Sequence, residues 1–389
     1  MTGRLEQTGE APEHEGVIRV LWLTKGLGPG GAERLLVEHA RAGDRDRFRF
    51  EVGYLLPWKQ HLVAEIEQLG VPTHCFGART EADPRWVWRF ASLVRSGGFD
   101  VVHAHSPVSA AIARFVIRAG FPSTAMVYTE HNRWPSHHRA TRAINRATFA
   151  MNDAVIAVSV EVADSMSPAA GARAEVVTHG IDLARVRAHR RERERARAEL
   201  GVGPDDVLAV TVANLRENKR YPDLLAAARQ VIDAGAPVTF AAAGQGPLEA
   251  EVRARHAALG LGDRFRLLGY RDDARRVIAA GDLFVLASGH EGLPVAVMEA
   301  FALGVPVVAT AVGGLAEAVT DGVDGLLVEP RDPPALAAAI LRGADPALRA
   351  RLAAGAAESA ERYSAARSVA RIEAVYGEAL RRRRARVAR

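Results

Sequence analysis

The chain is predicted to fold as α/β, with two doubly wound domains, and three observations carry that expectation. At 389 residues, with 48% hydrophobic and 25% charged residues, it is too long for one core and has ordinary globular composition. Short apolar runs alternate with helical patterns through most of its length, as in parallel sheets wrapped by crossover helices. An arginine-rich segment ending in Gly201-Val-Gly-Pro204 separates two such series. The boundaries expected are 1–185 for the first domain, 186–365 for the second, and 366–389 for a C-terminal helix with a basic tail.

In the first series, 17–24 is apolar apart from Arg19 and Thr24 and reads as a buried strand of the parallel type. A glycine-rich turn, 25–33, leads from it into a helix. Gly26, Gly28 and Gly31 satisfy the spacing G-x-G-x-x-G, which suggests a dinucleotide fingerprint. The next strand, 50–56, ends in apolar residues followed by Pro57, where an acid would have to take the ribose, so the nicotinamide reading fails. What survives is a loop whose backbone can approach a ligand closely. Strands at 71–76, 100–105, 125–131 and 154–159 then alternate with helices at 84–95, 107–118 and 138–152. His103 and His105 share one strand face, as a metal pair would, but no third ligand follows at useful spacing. Ligands of doubly wound sheets lie at the carboxyl ends of the strands, which draws attention to His131. The structural alternative is a hydrogen-bonded histidine in a strand-end turn.

The second series opens with a strand at 206–213 and the turn 214–222, which contains Lys219. A helix at 223–234, a strand at 238–243, the turn Gly244-Gln-Gly-Pro247, a helix at 248–259, a strand at 265–268 and the turn 269–273 follow. The stretch that organises the chain is 282–308. A buried strand ends at Ala287, Ser288-Gly-His-Glu-Gly292 turns, and Pro294 suits a helix's first turn because its missing N–H would be unpaired there anyway. Free N–H groups at Gly292, Leu293 and Val295 would favour an anion such as a phosphate. Glu291 precedes this helix and Glu299 lies more than a turn inside it, too distant to share a proton but placed to hold two ends of one elongated polar ligand. Each is open to a plainer reading, as an acid at a helix start and a solvated helix residue. Yet Glu299 stands among Val297, Met298, Ala300, Phe301 and Leu303, and an ionised carboxylate there requires a partner.

The run HEGLPVAVMEAFALGVPVVAT, with GGLAEAV and DGVDGLLVEP after it, resembles the donor-site motif of the retaining GT-B glycosyltransferases, specifically glycosyltransferase family 4 (group 1 glycosyl transferases). The resemblance covers nearly the whole chain. It implies a GT-B fold, two facing doubly wound (Rossmann-like) domains with an interdomain cleft, crossed at the end by the helix expected over 363–384. It implies a retaining, metal-independent hexosyltransferase that moves a sugar from a UDP- or GDP-sugar to a hydroxyl acceptor. Glu299 would accept the ribose hydroxyls and Glu291 the sugar hydroxyls. Lys219 falls on the family's lysine, whereas Asn214 stands where the family has arginine, leaving Arg216 to reach the same phosphates. Gly30 and Gly31, within GGAER, match the family's first-domain loop. Gly244, Tyr270 and the helix start Gly292, Leu293, Pro294 and Val295 complete the implied donor site, and His131, in Thr129-Glu-His-Asn132, stands where the family carries a histidine beside the transferred sugar. His179 replaces the asparagine usual before the linker.

No cofactor and no metal are expected. Fixed cations and helix-start N–H groups can stabilise charge developing on the leaving phosphate, and the only Asp-x-Asp string, Asp44-Arg-Asp46, lies in a helix-to-strand turn. With no glycosidase-like carboxylate pair visible on the acceptor side, same-face attack is the working mechanism. The alternatives are a sugar-nucleotide epimerase of the same fold, a phosphorylase, for which the only lysines (Lys25, Lys59 and Lys219) offer little scope for a cofactor lysine, and a non-catalytic sugar-nucleotide binder.

The net charge of +5 comes from arginine. The basic stretches 185–197 and 381–389 read as a solvated helix and a frayed tail rather than nucleic-acid surfaces, since neither interleaves aromatic residues. Neither a signal-like leader nor a membrane-spanning run is evident, so a cytoplasmic location is expected, with peripheral contact at the inner membrane surface for a lipid-linked or glycan acceptor. Cys75, alone, reads as core filling. Trp86, Phe90 and Leu93 fall at helical spacing and read as core, leaving Trp88 and Trp134, with Arg85, Arg89 and Arg133, for a saccharide face or an anionic headgroup.

Overall fold

The computed structural model describes residues 16–28, 31–203 and 206–388. The first sheet holds β1 (Ile18–Thr24), β2 (Phe48–Tyr54), β3 (Thr73–Cys75), β4 (Val101–Ala104), β5 (Ala125–Glu130), β6 (Ala154–Ala157) and β7 (Ala174–Val176), in the order β3-β2-β1-β4-β5-β6-β7. The second holds β8 (Val207–Val212), β9 (Val238–Ala243), β10 (Phe265–Gly269), β11 (Leu283–Leu286), β12 (Val307–Thr310) and β13 (Gly325–Val328), in the order β10-β9-β8-β11-β12-β13. All of these pairings are parallel. Central strands such as β8 are buried on both faces because helices cover both, which explains their continuous apolar sequence. In each sheet the strand order reverses direction beside the first strand, β1 or β8, and there the strand ends open into a crevice.

The chain passes between the two sheets twice, and the two passages are laced together. Ile181 N–H donates to Tyr363 O at 2.8 Å and Ala365 N–H to Ile181 O at 2.9 Å. Gly180 permits this approach: a Cβ there would lie 2.4 Å from the Ser364 carbonyl carbon. The last helix, Ala365–Val387, then packs on the first sheet, with Val375, Tyr376, Ala379 and Leu380 in the same core as Trp22, Phe48 and Val101.

Several expectations are corrected. Cys75 is exposed, because β3 is a three-residue edge strand and Phe76, the next residue, takes the inward position. The arginine-rich segment is a solvated face only in part: Arg185, Arg191 and Arg195 are exposed, whereas Arg190 donates to the carbonyls of Ala302 and Leu303, and Arg193 to those of Ala279 and Gly281. These are carbonyls at helix C-terminal ends, where a cation satisfies unpaired acceptors. Arg197, buried, and Arg193 both pair with Asp282. The basic tail is not frayed over its described part, since Arg383 donates to Pro122 O at 2.5 Å and Arg386 lies 3.3 Å from Asp153. Trp134 is buried in a short 3-10 turn and its indole N–H donates to Glu130 at 3.0 Å, so it is not a free surface aromatic. Trp86 and Phe90 are core as expected, while Trp88 is 80% exposed.

Candidate functional site

The carboxyl ends of the two sheets face one another across a cleft of about 880 Å³. One wall carries Thr24 and Lys25 at the end of β1, His105 and Ser106 after β4, His131 and Asn132 after β5, and Ser159 after β6. The other carries Asn214 after β8, Gly244 and Gln245 after β9, Tyr270 and Arg271 after β10, and the run Glu291–Ala296.

The second wall is shaped by close backbone approaches. Gly313 and Gly314 pack beneath the Glu291–Leu293 loop, where Cβ atoms would fall 2.1 Å from Glu291 O and 2.4 Å from Gly292 O. A side chain at either position would displace the loop. Gly314 N–H also donates to Glu291 O at 3.0 Å, and Gly289 N–H to Asn218 O at 2.8 Å, tying this loop to the turn that bears Lys219. Helix Val295–Leu303 follows, with Pro294 in extended conformation at its cap rather than within its first turn, and Gly292 to Ala296 turned to the cleft. The helix dipole and the first unpaired N–H groups therefore point at the cavity.

The charges beside this helix start are paired with each other. Lys219 Nζ donates to Glu291 Oε1, and Ser288 Oγ donates to the same oxygen at 2.6 Å. Glu291 is 8% exposed and would be costly to hold there alone. Glu299, also 8% exposed, lies behind the wall instead of lining it, and Arg275 Nε donates to it at 2.7 Å. This is the partner that its apolar neighbours demand. Arg216 is exposed outside the cleft lining. Gly31 begins helix Gly31–Ala42, whose Glu33 and Leu35 reach the cleft, and Gly30 lies outside the described residues. The structure thus brings His131, Asn214, Lys219, Gly244, Tyr270 and Glu291 with its following helix start to one cavity, and does not bring Arg216 there.

On the opposite wall burial governs the histidines. His131 and His179 are each pushed down to about 4 by desolvation, and burial holds His103 and His105 well below the ordinary imidazole value. All four rings are neutral at pH 7. His103 is no metal ligand here: its Nδ1 meets the Tyr376 hydroxyl and its Nε2 the Thr129 hydroxyl, each at 2.7 Å. Sequence reasoning missed Arg275 and His105 as near-cleft or cleft residues. For His105 the signal available was its position one residue beyond the end of β4; Arg275, inside helix Ala274–Ala280, gave none.

Comparison with known proteins agrees with this geometry. The family described as Glycosyltransferase Family 4 matches residues 29–185, and that described as Glycosyl transferases group 1 matches residues 206–345. The chain is 32% identical over 328 residues to D-inositol 3-phosphate glycosyltransferase 1 of Catenulispora acidiphila, covering 76% of this chain and 77% of that protein. It is 24% identical over 308 residues to the UDP-Gal:alpha-D-GlcNAc-diphosphoundecaprenol alpha-1,3-galactosyltransferase of Escherichia coli, covering 74% and 78%. Among solved structures, Anabaena Alr3699/HepE in complex with UDP superimposes with a TM-score of 0.82 at 23% identity, covering 92% of this chain and 100% of that one, a likeness of fold. The paired parallel sheets, the cleft between their carboxyl ends and these relatives together establish that the chain belongs to the group 1 glycosyltransferases, glycosyltransferase family 4, and is a glycosyltransferase of the GT-B fold.

Proposed function

We propose that the enzyme moves a sugar from a UDP- or GDP-sugar to a hydroxyl acceptor with retention of anomeric configuration and without a metal. The observation that carries this reading is the Lys219–Glu291 pair beside an open helix start on the cleft. A diphosphate entering the cleft meets the N–H groups of Gly292, Leu293 and Val295 and can draw Lys219 from Glu291, which frees that carboxylate for sugar hydroxyls. In this reading Tyr270, 68% exposed at the rim, meets the base, and Glu299 takes the ribose once its side chain turns from Arg275 into the cleft. His131 stands beside the transferring sugar, the rest of residues 1–185 present the acceptor, and residues 186–365 hold the donor. In the step itself the bond from the anomeric carbon to the phosphate oxygen breaks and the acceptor oxygen bonds the same face. The acceptor's proton passes to the departing phosphate. Fixed positive charge and helix-start donors stabilise the leaving group without reorganisation.

The acceptor we propose is lipid-linked or a glycan, met at the inner membrane surface. The Escherichia coli relative's name describes a diphosphoundecaprenol-linked acceptor for that protein. No helix among the described residues is long and apolar enough to cross a membrane, so contact would be peripheral. Of the aromatic residues considered for it, Trp88 is the one on the surface, since Trp134 is buried and Arg133 pairs with Glu161 at 3.3 Å. The test is calorimetry with UDP- and GDP-sugars in EDTA, followed by product analysis with lipid and glycan acceptors. Binding in EDTA and a retained linkage support the reading. Loss of binding on chelation, or release of an epimerised free sugar nucleotide, rejects it.

A further inference from the structure

Strands β4 and β5 are neighbours in parallel register, with Ala104 opposite Tyr128, so the residues just beyond their ends emerge together at the cleft floor. There His105 Nδ1 and His131 Nε2 stand 3.2 Å apart. His105 in turn lies against His103, with ring centroids 4.1 Å apart. His103 is held from both sides. Trp22 Nε1–H donates to the Tyr376 hydroxyl at 3.1 Å. That hydroxyl is hydrogen-bonded to His103 Nδ1, and His103 Nε2 to the Thr129 hydroxyl. The last helix thereby fixes the wall on which His105 rests.

Two neutral imidazoles in contact share one proton between the facing nitrogens. If His131 donated it, His105 would carry its remaining proton on Nε2, which is buried and has no partner among the described residues. Buried N–H groups without an acceptor are rare because they forfeit hydration and gain nothing in return. If His105 donates, its Nε2 holds only a lone pair, beside a small cavity of about 40 Å³ that it shares with His179. We propose that His105 is a positioning residue for sugar transfer: its Nδ1–H holds His131 by Nε2, so that His131 turns Nδ1–H into the cleft toward a hydroxyl of the transferring sugar. The inference rests on the reading that His131 lies beside that sugar.

The test separates the two. In His105→Asn the amide can stand where Nδ1 stood, in His105→Gln it reaches the Nε2 position instead, and His105→Leu keeps bulk without a donor. Expected is a fall in kcat of about tenfold or more for His105→Leu and His105→Gln, with donor KM changed by less than about twofold, and recovery of most of kcat in His105→Asn. A kcat for His105→Leu within about threefold of the parent overturns the inference, as does a folded His105→Asn no better than His105→Leu. His131→Ala is measured alongside. If it keeps its turnover, the reading of His131 has failed and this inference falls with it; if it loses turnover while His105→Leu does not, only this inference falls. Should His105→Leu not fold, imidazole 15N resonances of the intact parent decide the matter. The ring signal absent from His131→Ala is expected as the Nδ1–H tautomer, and an Nε2–H tautomer overturns the proposal.

Discussion

Lys219 holds two positions at once, as the ion-pair partner of Glu291 and as the cation proposed for the donor phosphates, and a substitution there separates them. The two side chains are 17% and 9% exposed. In Lys219→Ala the Glu291 carboxylate keeps the Ser288 hydroxyl and loses its counter-charge. A fully buried pair broken in this way costs about 3–5 kcal/mol. This pair borders an open cleft, so water can reach the carboxylate, and about 1–3 kcal/mol is the better figure. For a domain of this size that is about 2–4 °C of melting temperature per kcal/mol. Donor binding should suffer separately, because a charge-assisted hydrogen bond worth about 1.5–3 kcal/mol corresponds to about 10- to 150-fold in Kd. The double variant Lys219→Ala with Glu291→Gln distinguishes the effects. A neutral amide still accepts from Ser288 and needs no counter-ion, so the melting temperature should recover while donor affinity does not. Thermal melts and calorimetry with a UDP- or GDP-sugar are the assays. If Lys219→Ala binds donor as the parent does, the pair lies outside the phosphate path; if the double variant recovers affinity, the lysine's charge was never used by the donor.

The alternation of elements was legible because a strand covered on both faces has nowhere to put a polar residue. The stretches 206–213 and 238–243 could hardly be read otherwise, and they became β8 and β9. Elements too short to show a period were lost, among them β7 and helix Val63–Gln68. Charge was the harder signal. Arginines at 190, 193 and 197 look alike in sequence whether they face water or cap helix ends, because the helix-end carbonyls that they satisfy lie 83 to 113 residues away. The same distance problem hid Arg275. Sequence reasoning could say that Glu299 needed a partner, but not which arginine 24 residues upstream would supply it. His105 was weighed only as half of a metal pair with His103, because they lie two residues apart on one strand. That alternation ends with β4 at Ala104, and beyond it His105 meets a ring from the neighbouring strand's end.

Three further outcomes follow from the same contacts. Glu299→Ala should weaken donor affinity with a smaller effect on turnover at saturating donor, and Arg275→Gln should do the same more mildly, because it releases the carboxylate without removing it; calorimetry and saturation kinetics check both. Trp88→Ala should reduce salt-sensitive co-sedimentation with anionic vesicles while leaving donor affinity unchanged, and an enzyme that ignores vesicles yet glycosylates a soluble small molecule would reject the membrane-surface reading. Acid should destabilise the fold through the buried histidines. His131 and His179 have folded values of about 4 against an ordinary 6.5, so between these limits the unfolded chain binds more protons than the folded one. Stability should therefore be flat above neutrality and decline as pH falls through 6.5 toward 4, whereas turnover of the folded enzyme should fall only as pH approaches about 4, where His131 itself becomes charged. Replacing both histidines by asparagine should make that acid limb shallower in a pH series of thermal melts, the buried His103 and His105 supplying the remainder, and an unchanged limb in the double variant would show that burial of His131 and His179 does not govern acid stability.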